Sequence, residues 1–325
     1  MNKPVNMGVI GCADIAVRSV IPALNELKDY YHLTGIASRS ESKARAAAEE
    51  FGSRAFEGYE SLLDLKGLDA VYIPLPNALH FEWIEKALSR GIHVLAEKSL
   101  GCSFNEVETL NRLAETMQLA LVENFQFRFH KQLAVIQQMV NDGTIGELRC
   151  LRSSFGFPPF KDRENIRYQM SLGGGALLDA GAYPIKISQL FLGEELYVGA
   201  ANLNIDPETG VDLWGGAYLK QTEGPLFSET AFGFDHHYQC SLELWGSKGK
   251  LVTNRIFTAP PGYSPEILLE TADGEKRMTI ESDHHFKNML KHFYSLIREK
   301  DGLAAEYKQN ASQARLIEEV RKAAG

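Results

Sequence analysis

The residues near the start of the chain that can do chemistry are Gly8-Val9-Ile10-Gly11-Cys12-Ala13-Asp14-Ile15-Ala16. Met7 to Ile10 form a short apolar run that reads as a buried strand. Gly11 permits a sharp turn, and the helix-spaced apolar residues from Ile15 to Leu27 supply a helix whose first N–H groups and dipole attract phosphate. Gly11, Cys12, Ala13, Asp14 and Ile15 are therefore candidate cofactor-binding residues for a dinucleotide. The glycine-rich fingerprint has glycine where this chain has Ala13, and the added methyl crowds the approach of phosphate to the backbone. The next apolar run, His32 to Ala37, ends at Ser38-Arg39-Ser40 with no acid to accept from a ribose 2′-hydroxyl. Hydroxyls and a guanidinium can instead bind a 2′-phosphate, and planar Arg39 can stack on adenine, which points to NADP(H). The competing reading makes Ser38 and Ser40 helix caps and Arg39 a solvated charge.

Two further segments carry candidate groups. The glycine run at 173–175 leads into an apolar helical stretch that sets Asp179 and Tyr183 at i, i+4 on one face. Just before it, the loop from Phe157 to Tyr168 mixes aromatic rings with Lys161, Arg163 and Arg167. Rings can stack on a base or sugar while the cations take a diphosphate, although a solvated charged loop has the same composition. Cys12, Cys102, Cys150 and Cys240 lie too far apart for a disulfide or zinc framework, and Cys12 reads as a small packing residue. The pairs His236-His237 and His284-His285 lack i, i+4 ligand spacing, so no metal is expected.

The elements that must position these groups fall into two series. Strand patterns near 6–11, 33–38, 69–74, 92–96 and 119–123 alternate with helical patterns near 14–28, 40–51, 59–64, 77–90 and 103–117. Such alternation predicts a doubly wound parallel sheet whose ligand lies beyond the C-terminal strand ends. Pro74-Leu75-Pro76-Asn77 ends one strand, with Asn77 able to cap the following helix. From about residue 124 the pattern turns β-rich, with segments 146–157, 195–206, 211–220, 226–235, 238–246, 249–254 and 266–281. Helices near 130–142 and 174–192 join this region, and helices near 283–300 and 307–323 close the chain. This predicts an open, predominantly antiparallel sheet. The expected fold is α/β: a Rossmann domain over 1–123 and a substrate-binding and oligomerisation domain over 124–325, with the C-terminal helices able to pack back toward the first.

With 325 residues, 44% of them hydrophobic, the chain can bury a core for two domains. Its 34 basic and 42 acidic residues give a formal charge of −8 without a basic tract, which argues against nucleic acid as a partner. No apolar run approaches the roughly 20 residues of a membrane helix, and Met1-Asn2-Lys3-Pro4 resembles no signal peptide. The expectation is a cytoplasmic protein with a small-molecule partner.

The ordered set formed by the phosphate turn, Ile73-Pro74-Leu75-Pro76-Asn77-Ala78-Leu79-His80, Glu97-Lys98, Arg128-Phe129-His130 and Gly173 through Pro184 resembles the glucose–fructose oxidoreductase / inositol dehydrogenase (Gfo/Idh/MocA) family over nearly the full chain. The resemblance implies that Leu75, Asn77, His80, Glu97, Lys98 and Arg128 join the cofactor-binding set, with Lys98 also approaching the substrate. Ser99 stands where the family's Glu-Lys-Pro motif has proline, a change that loosens the loop. Relatives use His or Tyr at the position of Tyr183, which makes Tyr183 and Lys98 the implied catalytic pair. A phenol of pKa about 10, lowered by a neighbouring ammonium, can protonate a developing alkoxide. Asn165-Ile166-Arg167-Tyr168, the glycine run, Tyr238 and Leu244 to Gly249 are similar to nucleotide-sugar 3-ketoreductases of deoxysugar pathways. On that resemblance Asp179, Lys161, Arg163, Asn165, Arg167, Tyr168, His237 and Tyr238 contact substrate, and the chain forms a homodimer or homotetramer. The implied function is NADPH-dependent reduction of a keto group on a nucleotide-linked sugar. Two alternatives are an NADP-dependent dehydrogenase of a free sugar or dihydrodiol, and a nonenzymatic NADP(H)-binding regulator.

Overall fold

Residues 3–325 are described by a computed structural model. Six short strands alternate with helices in the first part of the chain: β1 (Val5–Ile10), α1 (Ile21–Glu26), β2 (Tyr31–Ser38), α2 (Glu41–Phe51), β3 (Arg54–Glu57), α3 (Glu60–Leu63), β4 (Ala70–Ile73), α4 (Asn77–Ser89), β5 (His93–Glu97), α5 (Phe104–Met117) and β6 (Leu121–Asn124). All six pair in parallel, in the order β3-β2-β1-β4-β5-β6. Parallel strands covered on both faces bury every side chain, and β4 and β6 are buried along their whole length. The order reverses between β1 and β4, so the loops after these two strands flank the crevice where a doubly wound sheet binds its ligand.

The second part runs α6 (Lys131–Asn141), β7 (Leu148–Gly156), α7 (Ala182–Leu192), then β8 (Leu196–Ile205), β9 (Asp212–Gln221), β10 (Phe227–Gly233), β11 (Gln239–Gly246), β12 (Gly249–Asn254), β13 (Glu266–Thr271) and β14 (Gly274–Thr279). Its sheet has the order β14-β13-β12-β11-β7-β10-β9-β8, and only β7–β10 is parallel. Cross-strand rows put Leu219, Ser228, Leu151, Leu244 and Leu251 on one face, all buried, with α7 packed against β7 and β10. The other face carries Tyr197, Phe227, Trp245, Lys220 and Lys250. Helices α8 (His285–Glu299) and α9 (Leu303–Ala324) end the chain. Two compact units result: the stretch up to Asn124 with Phe286–Ala311, and Phe125–His285 with Ser312–Gly325.

The α/β class and both sheets follow the sequence pattern, with differences in detail. The exposed four-residue β3 has no apolar alternation to announce it. The segment 266–281 is a hairpin of β13 and β14, turning at Ala272-Asp273, with Gly274 opening β14 at φ +117°. Helices expected near 14–28 and 174–192 contain π-helical turns, Ala16–Val20 and Leu177–Gly181.

Candidate active site

The phosphate turn lies at the C-terminal end of β1. Gly11 adopts φ +115°, and a Cβ there would sit 2.9 Å from Leu75 Cδ2, so glycine is required both for the turn and for the close approach of the loop after β4. The Gly11 amide donates to Ala37 O at 2.8 Å, and the Ala13 carbonyl accepts from Ala16 and Val17, opening the helix there. The Cys12 thiol lies near Ser38 and Lys43, and burial pushes its pKa up, in keeping with a packing residue.

At the end of β2, Ser38 is buried and its Oγ accepts from the Ser40 amide at 3.2 Å, while Ser40 Oγ accepts from Lys43 N at 3.4 Å and caps α2. Both serine hydroxyls thus serve the backbone, as the capping alternative expects. Arg39 is exposed and hydrogen-bonds the Tyr59 hydroxyl. Lys43 adds a second cation beside the turn that the sequence reading did not single out. Its signal is the position three residues after the capping serine. Arg39 and Lys43 at the N-terminus of α2, facing no carboxylate from 38–40, fit a dinucleotide that carries a 2′-phosphate.

Glu97 ends β5 and Lys98 follows it, both half-buried. The Tyr72 hydroxyl and the Asn124 side-chain amide each donate to Glu97 Oε1 at 2.6 Å, from the strands on either side. The peptide between Lys98 and Ser99 is cis. Ser99 is buried; its N–H donates to Asn77 Oδ1 at 3.1 Å and its carbonyl accepts from His80 Nδ1 at 2.6 Å, while Leu100 N donates to Glu123 Oε1 at 3.3 Å. Two expectations change here. The loop with Ser99 in place of proline is pinned rather than loosened, because side chains of α4 hold both backbone groups of that residue. His80 is fully buried behind the loop, and burial, assisted by the nearby Lys98 ammonium, lowers its pKa to about 4. It braces the loop instead of facing a ligand.

In the second unit, Tyr183 is on the first turn of α7, only 9% exposed. Its ring packs against Phe125, Phe127, Phe155 and Phe257 at centroid distances of 5.5, 5.9, 5.1 and 5.4 Å. An aromatic cage of this kind excludes water and fixes the phenol. The preceding π turn is held at its start by Leu177 N donating to Asp212 Oδ2 at 2.5 Å. Asp179, in that turn, accepts from Arg167 Nε at 2.5 Å, so two candidates from different segments meet as an ion pair. The Arg167 guanidinium also lies 4.7 Å from the Phe160 centroid.

The remaining candidates divide by exposure. Lys161 and Arg163 are exposed, Arg163 lying over the Tyr168 ring at 5.5 Å. Asn165 accepts from Arg167 N at 3.1 Å, and buried Tyr168 accepts from Phe160 N at 3.1 Å, so these two shape the loop. His237 is exposed, and the Tyr238 hydroxyl pairs with Thr258 Oγ1 at 2.8 Å. Arg128, half-buried, covers Phe129 at 5.2 Å. Lys186, fully buried one turn beyond Tyr183 with Nζ 5.4 Å from the Phe125 centroid, was not anticipated from its sequence context. Among the described residues no group of three or more His, Cys, Asp or Glu side chains is placed to hold a metal, and no helix is long and apolar enough to cross a membrane. A cavity of about 730 Å³ at the opposite, N-terminal ends of β1 and β2, lined by Lys3, Asn25, Lys28 and His32 among others, contains none of the candidates.

Comparison with known proteins adds four findings. Residues 5–125 match the Gfo/Idh/MocA oxidoreductase family with an NAD-binding Rossmann fold, and residues 133–252 match the C-terminal domain of the same family. The chain is 39% identical to dTDP-3,4-didehydro-2,6-dideoxy-alpha-D-glucose 3-reductase of Streptomyces violaceoruber, over 99% of this chain and 96% of that one. It is 30% identical to an NADP(+)-dependent D-xylose 1-dehydrogenase of Haloferax volcanii, over 98% and 96%. Among solved structures, a 3-ketoreductase from Actinomadura kijaniata in complex with NADP and TDP-benzene superimposes with a TM-score of 0.94 at 38% identity, covering 99% of this chain and 98% of that one.

Proposed function

The chain belongs to the Gfo/Idh/MocA oxidoreductase family, and on that premise we propose that it is an NADPH-dependent ketoreductase acting on a nucleotide-linked 3-keto sugar. The observation that carries this reading is the 39% identity, over 99% of the chain, to a reductase named for that reaction. NADPH, when bound, supplies a hydride to the substrate's carbonyl carbon. The phosphate turn from Gly11 to Ile15 with Leu75 receives its pyrophosphate, and Ser38, Arg39, Ser40 and Lys43 frame its 2′-phosphate. Tyr183 gives its phenolic proton to the carbonyl oxygen as the C=O bond becomes an alcohol. Lys98 assists by hydrogen bonding to the oxygen and favouring the phenolate that remains. Arg163 and Lys161 are suited to the diphosphate, with Asp179 and Arg167 at the sugar. Support for a cytoplasmic setting comes from the four free cysteines. The outer face of the eight-stranded sheet, with exposed Trp245, Trp214 and Tyr197, is proposed to be covered by a second copy of the chain.

The decisive experiment follows NADPH absorbance with TDP-linked 3-keto sugar, with the same sugar lacking the nucleotide, and with D-xylose and NADP. Turnover confined to the nucleotide-linked substrate supports the proposal. Preference for the free sugar transfers the chain to the dehydrogenase reading, which the similarity to the D-xylose enzyme favours. Tight NADPH binding without turnover of any of them supports a regulator.

A further inference from the structure

We infer that Asn77 is a positioning residue for Lys98, acting through the backbone of Ser99; the inference rests on the proposed role of Lys98. Glu97 is fixed on one side of Lys98 by Tyr72 and Asn124. On the other side, the Ser99 N–H and C=O are taken by Asn77 and His80, one turn apart on α4. Leu100 N is held by Glu123 at the end of β6. These three backbone anchors after Lys98 are all side chains of the same unit. Only one of them, the bond to Asn77, requires the residue after Lys98 to carry an N–H. A proline there would fix φ by its ring and would leave Asn77 Oδ1 without that donor. In this chain, Asn77 supplies by a hydrogen bond the local restraint that a ring would supply covalently. The backbone carrying the Lys98 ammonium is thereby aimed by a residue 21 positions earlier in the sequence, as 98 − 77 gives. Misplacing such a group by a fraction of its hydrogen-bond length slows chemistry more than it weakens binding.

The test is a double-substitution cycle in the full-length protein. Asn77→Ala should lower kcat about tenfold with TDP-linked 3-keto sugar, while the Kd for NADPH, read by fluorescence, moves less than about twofold. In a Ser99→Pro background, where no N–H remains to be held, Asn77→Ala should cost less than about twofold, and Asn77→Asp in the parent chain should restore most of the loss by keeping an acceptor oxygen. Amide hydrogen exchange over Lys98 to Gly101 supplies a readout independent of turnover: Asn77→Ala should accelerate it. An equal cost of Asn77→Ala in both backgrounds, a main effect on NADPH affinity, or unchanged exchange each overturns the inference. If exchange accelerates but Lys98→Ala retains full turnover, the assignment of Lys98 fails and the restraint on its loop stands.

Discussion

Tyr183 and Arg39 test the proposal at single atoms. Replacing Tyr183 with Phe preserves the ring among Phe125, Phe127, Phe155 and Phe257 and removes only the hydroxyl. The expected outcome is a fall in kcat of about 10²–10⁴-fold, with NADPH affinity retained; undiminished turnover would remove Tyr183 from proton transfer. Arg39 is exposed at the end of β2 and touches the Tyr59 hydroxyl, so Arg39→Ala leaves the core intact. Loss of one charge-assisted contact should raise the Kd for NADPH about tenfold and leave that for NADH nearly unchanged. An equal effect on both would show that Arg39 stacks on the adenine or braces Tyr59 and does not read the 2′-phosphate. Much at this scale was readable before the fold was known, since Gly11, Arg39 and Lys98 stand at strand ends in any doubly wound sheet. Less readable were residues whose work depends on partners distant in sequence. His80 and Asn77 belong to a recognisable run, yet their backbone target, Ser99, is fixed only by the folding of α4 against the end of β5. Nothing in the neighbourhood of Lys186 distinguishes it from a solvated lysine, although it is fully buried.

Helix α5 shows how an element is fixed by its ends. Ser103 Oγ accepts from Glu106 N at 3.3 Å, and Glu106 Oε2 accepts at 2.7 Å from Cys102 N, the amide just before the cap, a relative of the capping box written in the sequence as Ser103-Phe104-Asn105-Glu106. Ser103→Ala should lower stability by about 1 kcal/mol, measured by urea unfolding; no loss would mean that solvent satisfies the helix end equally well. Because α5 begins just after the Lys98 loop, this cap also fixes where that loop must finish. Elements with such local signals were read from the sequence to within a few residues. Those without them were not: β3 is four mostly exposed residues that pair only with β2, and its existence depends on that neighbour. The hairpin of β13 and β14 reads as one long strand because its two-residue turn interrupts little of the alternation. Neither π turn has a composition that separates it from an α-helix, and the one at Leu177–Gly181 follows from the grip of Asp212 on the Leu177 amide, 35 residues away.

Over the whole chain, the outer sheet face and the buried histidines set solution behaviour. On that face Arg152 bridges Glu229 at 2.6 Å and Glu243 at 2.9 Å and lies 5.3 Å from the ring of Trp245, which is 50% exposed. Aromatic area beside paired charges suits self-complementary burial, so Trp245→Asp should shift sedimentation toward monomer; an assembly unaffected by it would have to use another face. Acid should act on both units. Burial holds His80 and His93 in the first unit at about 4 and His285 in the second at about 3, and it lowers His130 as well. Each ring is neutral when folded and binds a proton in the unfolded chain once pH falls below the free value of about 6.5. Between that value and the lowered ones the unfolded state therefore carries more protons, and stability rises with pH. It is complete above about pH 6.5 and is lost progressively toward pH 4, by on the order of 3 kcal/mol for each of His80, His93 and His285. The urea midpoint should fall steadily from pH 7 to pH 4.5 in proportion to several protons taken up, and a flat midpoint across that window would mean that these rings admit water and protonate without unfolding.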